Sequence, residues 1–171
     1  MKKLFILMSL IVQLFGVSDL EYDTAIQNEK NPLVKQTLKC EKEATNHKDY
    51  GNPQICIDSA NLYEAKKTLS NNEKSDYGEA YNNAGIMYTF GKNNKDYIQA
   101  YKMFLKAYNI GYRESHPDVM VKLGYFNDNG KGTKQNKILA YKYYFEAAKL
   151  GNIPAQNNLD ILCKESSWAC K

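Results

Sequence analysis

Residues 80–111 read AYNNAGIMYTFGKNNKDYIQAYKMFLKAYNIG, and residues 119–151 read VMVKLGYFNDNGKGTKQNKILAYKYYFEAAKLG. The two stretches are copies of one pattern, because Gly85 lies 39 positions before Gly124 and the two closing glycines lie 40 positions apart. The second copy is one residue longer than the first, and the extra residue falls in the turn between its two helical halves. A period near 40 with two helical halves per unit predicts a helical solenoid.

The apolar residues of both copies recur at helical spacing, which predicts an all-α chain. The second half of each copy carries such a face, made of Ala100, Met103, Phe104, Ala107 and Tyr108, and of Ala140, Tyr143, Tyr144, Ala147 and Ala148. Each of the four prolines precedes a helical pattern, where proline is tolerated in the first turn. Alternating runs that would predict a strand are missing from the sequence.

These residues resemble the Sel1-like repeat family, a relative of the tetratricopeptide repeats. The matching residues are Gly85, Tyr88, Gly91, Ala100, Phe104, Ala107 and Gly111, then Leu123, Gly124, Gly130, Gly132, Ala140, Tyr143, Tyr144, Ala147, Ala148 and Gly151. Asn93, Asn127 and Asp160 depart from the family pattern. The resemblance implies an α-solenoid of stacked helix-turn-helix units with a concave binding face. A third copy begins at Ala155, and the chain ends after its first helix.

Gly85 and Gly124 sit inside helices, where glycine costs about 1 kcal/mol relative to alanine. A close crossing of the two helices of each unit is the expected reason for them. The alanines of the second helix allow the same close approach, and the tyrosines fill the space between units.

The amino terminus has the layout of a secretory signal peptide over residues 1–18. Lys2 and Lys3 precede an apolar run of 14 residues, and Gly16 and Ser18 suit cleavage before Asp19. The run is shorter than the roughly 20 residues of a membrane span. We therefore expect a periplasmic or secreted protein without a membrane span once the leader is removed. An uncleaved anchor is the alternative.

The rest of the chain divides into three predicted parts. Residues 19–30 are polar and are expected to form a loose linker. Residues 31–76 are expected to form a helical hairpin, a degenerate repeat with helices at about 32–46 and 53–69. Residues 77–171 are expected to hold the Sel1-like repeats and a capping helix.

Four cysteines in the exported part agree with an oxidising compartment. Three pairings exist, and we favour Cys40–Cys56 with Cys163–Cys170 because each closes a short loop. The second pair cannot form within one helix, since seven residues at 1.5 Å rise span roughly 10 Å. The helix must therefore end near Cys163, and the tail that carries Trp168 must fold back and dock.

Composition excludes several classes of function. Without Lys2 and Lys3 the chain has 21 basic and 19 acidic residues, and its only arginine is Arg113, so nucleic-acid binding is not expected. His47 and His116 are far apart, and the cysteines lack C-x-x-C spacing, so neither a metal site nor a cofactor is predicted.

Enzymatic activity is not predicted either, although the family suggests one alternative. Some secreted cysteine-rich members, found in Helicobacter and Campylobacter, have been described as β-lactamases or penicillin binders. A serine β-lactamase needs S-x-x-K, S-D-N and K-T-G elements. The sequence has no serine followed by lysine at the third position, and Ser75-Asp76-Tyr77 is only a fragment of the second element. A binder of β-lactams or peptidoglycan fragments stays the alternative function, by analogy alone.

The leading interpretation is an exported, non-enzymatic adaptor or assembly factor that binds a protein or peptide of the bacterial envelope. The register of the repeats predicts which residues face the groove, that is, the concave face of the array. They are Asn82, Ile86 and Thr89 in one copy, Val121, Tyr125 and Asp128 in the next, and Asn157 and Ile161 in the last. Asparagine can bond a peptide backbone, and tyrosine supplies rigid contact area.

Overall fold

The computed structural model describes residues 19–45, 51–91 and 95–170. In these ranges the chain forms eight α-helices and two short 3-10 turns, without a β-strand. The helices are α1 (Asp19–Asn28), α2 (Pro32–Thr45), α3 (Pro53–Glu64), α4 (Asn71–Phe90), α5 (Tyr97–Asn109), α6 (Asp118–Asn129), α7 (Lys137–Lys149) and α8 (Ile153–Glu165). The turns are Tyr112–Glu114 and, at the carboxyl end, Ser167–Cys170.

Polar side chains cap the helices where the sequence changes pattern. At the start of α4, the Ser70 hydroxyl accepts a hydrogen bond from the Glu73 amide, and the Glu73 carboxylate accepts one from the Ser70 amide. Asp96 caps α5 in a similar way. Gly130 ends α6 with a positive φ of 65°, a conformation that favours glycine. The N-terminal caps at Ser70 and Asp96 each contribute about 1 kcal/mol and fix where α4 and α5 begin.

Each helix packs on its neighbour in sequence, so the all-α solenoid is confirmed. Helices α4 and α5 form the first repeat, and α6 and α7 form the second. The close crossing expected at the helix glycines is also confirmed. A Cβ atom on Gly85 would lie 2.6 Å from Phe104, and one on Gly124 would lie 2.5 Å from Tyr144. Because these glycines have no side chain, they leave the space into which the large rings of the second helices pack.

The amino-terminal part corrects the expectation of a loose linker over residues 19–30. Residues Asp19–Asn28 form α1, which packs on α2. Tyr22 is buried at 3% exposure, and Asp23 accepts an ion-pair contact from Lys42 at 2.7 Å. The buried Tyr22 ring and the Asp23–Lys42 ion pair attach α1 to the rest of the protein, although the sequence of α1 is polar.

The predicted hairpin is present as α2 and α3, but α3 ends at Glu64 rather than near residue 69. The cap at Ser70 starts a new helix there, so residues 65–70 must turn the chain instead of continuing α3. The expected boundary between residues 76 and 77 consequently falls inside α4.

Both favoured cysteine pairs are present as disulfides. Cys40 and Cys56 join α2 to α3 with Cα atoms 4.6 Å apart, and Cys163 and Cys170 join α8 to the C-terminal turn at 5.7 Å. The tail folds back as predicted, but the docking of Trp168 is wrong because its side chain is 60% exposed. The small side chains of Ser166 and Ala169 are buried instead.

Candidate partner-binding surface

The predicted groove residues lie on α4, α6 and α8, the first helices of the three units. Helices α4 and α6 each pack one side against the second helix of their own repeat, and α6 also contacts α8. The groove positions follow a spacing of three or four residues, so on each helix they share one side.

Three of the predicted positions present exposed side chains. Tyr125 on α6 is 41% exposed and Ile161 on α8 is 56% exposed, and Asn157 one turn before Ile161 is exposed as well. Tyr125 and Ile161 occupy the same register position on successive first helices, so their exposed side chains make this side a candidate contact surface.

Three further positions form the floor of the surface. Ile86 and Val121 are half-buried and pack against the main core. Asn82 is half-buried too, and its Oδ1 atom is enclosed without a hydrogen-bond partner in the described part of the chain. Such an acceptor is unusual, because buried polar atoms are nearly always paired. The Asn82 Oδ1 atom is therefore an unpaired acceptor inside the floor of the surface.

Two predicted positions do not serve as contact residues in this structure. Thr89 is buried, and its hydroxyl donates to the Gly85 carbonyl at 2.7 Å within α4. Asp128 pairs with Lys137 at 2.7 Å, and its backbone carbonyl accepts from Gln135. Asp128 therefore fastens the turn between α6 and α7. Helical spacing alone did not reveal these local hydrogen bonds.

Tyr125 contacts Lys131, a lysine in the turn after α6 that is not among the predicted site residues. Lys131 Nζ donates to the Tyr125 hydroxyl at 2.7 Å and lies 4.8 Å from the centre of its ring. The same nitrogen lies 5.3 Å from the ring centre of Tyr97 on α5. The hydrogen bond to Tyr125 raises the pKa of Lys131. Because the ring is fixed before any partner arrives, it can make contacts at a low cost in entropy.

A second lysine near the surface was also missed. Lys122 follows Val121 on α6, lies 5.8 Å from the ring centre of Phe104, and has its pKa lowered by burial, an effect that Asp118 partly offsets. A lysine at a half-buried helix position is the signal that could have revealed it. Its amino group is held near the Phe104 ring, with Asp118 as the nearby opposite charge.

An acidic group lies where α2 faces α4. Burial, together with the nearby charges of Glu79 and Asp76, raises the pKa of Glu41 to about 8. Burial also raises the pKa of both neighbours. Asp76 accepts a hydrogen bond from the Tyr63 hydroxyl at 3.2 Å. Glu41 lies 35 residues before Asp76 and 38 before Glu79, so no motif could have indicated that it comes near them.

The histidines do not form a catalytic constellation in the described residues. Ser115 and His116 share a hydrogen bond of 2.9 Å, but the imidazole stacks on Tyr112 with ring centres 4.1 Å apart. Burial lowers the pKa of His116. The Asp118 carboxylate, which could complete a triad, accepts from Asn152 at 2.7 Å. His47 lies outside the described residues.

Other kinds of site are not assembled in the part of the chain that the structure describes. No three or more histidine, cysteine, aspartate or glutamate side chains in these ranges are grouped so that they could hold a metal ion. Among the described helices, none is both long and apolar enough to cross a bilayer. The predicted leader, residues 1–18, lies outside these ranges.

A shallow depression of about 270 Å³ lies away from the predicted groove positions. It is lined by Arg113, Glu114, Met120, Glu146, Lys149 and Leu150. Its mixed charges and open shape do not define a ligand chemistry.

The fold and the open side of its first helices define a class, the helical-repeat proteins that work by binding other proteins. The Sel1 repeat family matches residues 78–112 and 117–152. The chain therefore carries two Sel1 repeats, which cover α5, α6, α7 and all but the first two turns of α4. No curated protein matches the chain.

Proposed function

We propose that the protein is an exported adaptor or assembly factor of the bacterial envelope, which binds a segment of another protein across α4, α6 and α8. The observation that carries the proposal is the exposure of Tyr125 and Ile161 on the same side of consecutive first helices. Sel1 repeats are generally protein-interaction modules, which supports this role over chemistry.

The surface suits an extended or helical peptide because its chemistry is mixed. Tyr125 and Ile161 offer apolar contact, while the exposed Asn157 offers hydrogen bonds. Tyrosine is enriched in interfaces since it combines a rigid ring with a polar tip. The half-buried Ile86 and Val121 would form the floor beneath the bound segment.

Two features support export of the protein. The leader at residues 1–18 has the layout of a signal peptide, and both cysteine pairs form disulfides, which persist in oxidising compartments. Disulfides near each end of the array also suit a small solenoid in a compartment where end fraying invites proteolysis.

A cross-linking capture from native envelope, with the protein as bait, tests the proposal. The test variant replaces the exposed Tyr125 and Ile161 by alanine, which leaves the packed Ile86 in place. The matched control replaces the equally exposed Ile98 and Ile138, which lie on the second helices. A protein captured by the native chain and the control but lost with the test variant supports the proposal. Equal capture by all three forms contradicts it.

A further inference from the structure

The two disulfides differ in how far they are open to solvent. Cys40 and Cys56 are 2% and 0% exposed and belong to the main core. Cys163 and Cys170 are only half-buried, and the chain between them forms the end of α8 and the C-terminal turn. A thiolate can break a disulfide only if it reaches one of the sulfur atoms. The C-terminal pair is therefore the one that a reductant can reach while the protein stays folded.

The C-terminal turn packs on α7 and α8, the two helices that form a small apolar cluster at the end of the array. The cluster is made of Ala140, Tyr144, Leu159 and Leu162. Cys163 packs against this cluster, and the disulfide joins it to the turn. Ser166, just before the turn, and Ala169 within it are 7% and 3% exposed. The turn therefore serves as the capping element that a repeat array needs at its end.

The disulfide is the main connection that keeps this turn on α7. The Ser166 amide donates to the Leu162 carbonyl at 2.8 Å and the Ala169 amide donates to the Ser166 carbonyl at 2.9 Å, so both hydrogen bonds stay within the C-terminal segment. In the part of the chain that the structure describes, no hydrogen bond or ion pair joins the turn to α7.

Packing adds little to that connection. The buried side chains of Ser166 and Ala169 are small, and Trp168, the largest side chain of the turn, is 60% exposed. The apolar area that the turn buries is therefore small, whereas holding its residues in one conformation costs backbone entropy. Once the disulfide is opened, the balance favours release of the turn.

We propose that Cys163–Cys170 is a redox-sensitive link: a dithiol reductant opens it in the folded protein, the C-terminal turn leaves α7, and the end of the α7–α8 pair is uncovered. A dithiol is the chemical class of reductant that fits, because its second thiol completes the exchange without a further reagent. The buried Cys40–Cys56 pair stays closed and holds α2 to α3 in both states.

The exchange has two steps. A thiolate of the reductant bonds to the Cys163 sulfur, the bond to Cys170 breaks, and Cys170 leaves as a thiolate that takes a proton from water. The second thiolate of the reductant then bonds to the first, which releases Cys163 to be protonated in the same way. The dithiol is oxidised to a disulfide by two electrons, and the cysteine pair is reduced to two thiols. Cys170 is the better first leaving group, because a thiolate at Cys163 would lie in the last turn of α8, at the negative end of the helix dipole.

Timed reduction of the native protein by dithiothreitol, followed by iodoacetamide labelling and peptide mass spectrometry, tests the proposal. Cys163 and Cys170 should be labelled at least about tenfold faster than Cys40 and Cys56, because the reagent reaches only the first pair in the folded state. The buried pair is thus a matched control in the same molecule. Equal rates for the two pairs, or reduction of Cys163–Cys170 only in urea, would overturn the proposal.

Release of the turn is followed by hydrogen exchange and by the fluorescence of Trp168, the only tryptophan of the chain. After selective reduction, the amides of Ser166 and Ala169 should exchange at least about tenfold faster, while those of α4 to α6 keep their protection. The emission of Trp168 should change at the rate at which Cys163 is labelled. Full protection of the Ala169 amide in the reduced protein would contradict release.

The double variant Cys163→Ser, Cys170→Ser should show the released turn without any reductant, and dithiothreitol should cause no further change in its Trp168 emission. A protected Ala169 amide in this variant would also overturn the proposal. The reduction rates of the native protein do not depend on the variant, so they decide the first half of the proposal even if the variant is unstable. None of these measurements needs a binding partner, so they succeed or fail independently of the proposed function.

Discussion

At the scale of single residues, two glycines decide how closely the helices of each repeat approach. Gly124 lies inside α6 and faces the ring of Tyr144, and Gly85 faces Phe104 in the same way. Both rings are buried at 1% exposure, so they cannot move aside easily. The repeated pairing of a helix glycine with a large aromatic ring sets the geometry of the array.

The sign of the change in unfolding free energy caused by Gly124→Ala tests this explanation. In an ordinary helix the change stabilises by about 1 kcal/mol. Here the new Cβ would lie 2.5 Å from the Tyr144 ring, so we expect a net destabilisation of about 1–3 kcal/mol in urea unfolding. Tyr144→Leu should reduce the cost of Gly124→Ala in a double-mutant cycle. A stabilised Gly124→Ala protein would contradict the account.

Glu41 makes stability depend on pH. Its pKa is raised to about 8 by burial and by Glu79 and Asp76, compared with an ordinary value of 4.5. The folded state therefore holds a proton that the unfolded chain releases, and this contribution to stability falls as pH rises from about 4.5 towards 8. His116, whose pKa is lowered by burial, acts in the opposite direction as pH falls through its ordinary range.

The test compares Glu41→Gln with the native protein by urea unfolding at about pH 6 and pH 8. His116 is present in both proteins, so its effect cancels in the comparison. The variant should gain stability relative to the native protein at the higher pH, by roughly 1–3 kcal/mol. Glu165→Gln, at an exposed position on α8, is the control and should track the native protein. An unchanged pH dependence in Glu41→Gln would show that Glu41 is ionised in the fold.

At the scale of elements, the two disulfides stabilise different parts of the array. Cys40–Cys56 ties α2 to α3 within the buried core, where Cys56 is fully enclosed. Cys163–Cys170 closes a loop of 7 residues at the end of α8. The first pair holds a hairpin that has no complete repeat beside it on one side, and the second keeps the last helix from fraying.

Removing each disulfide by paired alanine substitution should therefore give unequal losses. The chain-entropy estimate is roughly 3 kcal/mol for Cys40–Cys56 and roughly 2 kcal/mol for Cys163–Cys170. Burial of the first pair adds a cavity cost, because both sulfur atoms lie in the core. Calorimetric and urea unfolding of the two variants measure the difference. A larger loss from the C-terminal pair would contradict this view of the hairpin.

Repeat register predicted the elements that carry their own signals. The glycine–aromatic pairs and the closing glycines placed α4 to α7, and the short loops between cysteines indicated both disulfides. Helix α1 was missed because contacts with α2, such as the burial of Tyr22 and the Asp23–Lys42 ion pair, stabilise a segment whose own sequence is polar. The end of α3 was missed because the Ser70–Glu73 cap was not recognised. The burial of Thr89 and the approach of Glu41 to the acids of α4 depend on tertiary contacts, which the spacing of residues along the sequence does not indicate.

At the scale of the whole molecule, the array has two unlike sides. The first helices present Tyr125, Asn157 and Ile161, and α4 and α6 pack against the second helices of their repeats.

Site-specific photo-cross-linking in the intact cell tests the central claim most directly. A benzophenone side chain placed at Tyr125 lies on the proposed partner-binding surface, and one placed at Ile98 lies on a second helix with comparable exposure. The account predicts that the probe at position 125 captures one discrete envelope protein and that the probe at position 98 does not. A discrete protein captured from position 98 and none from position 125 would contradict it.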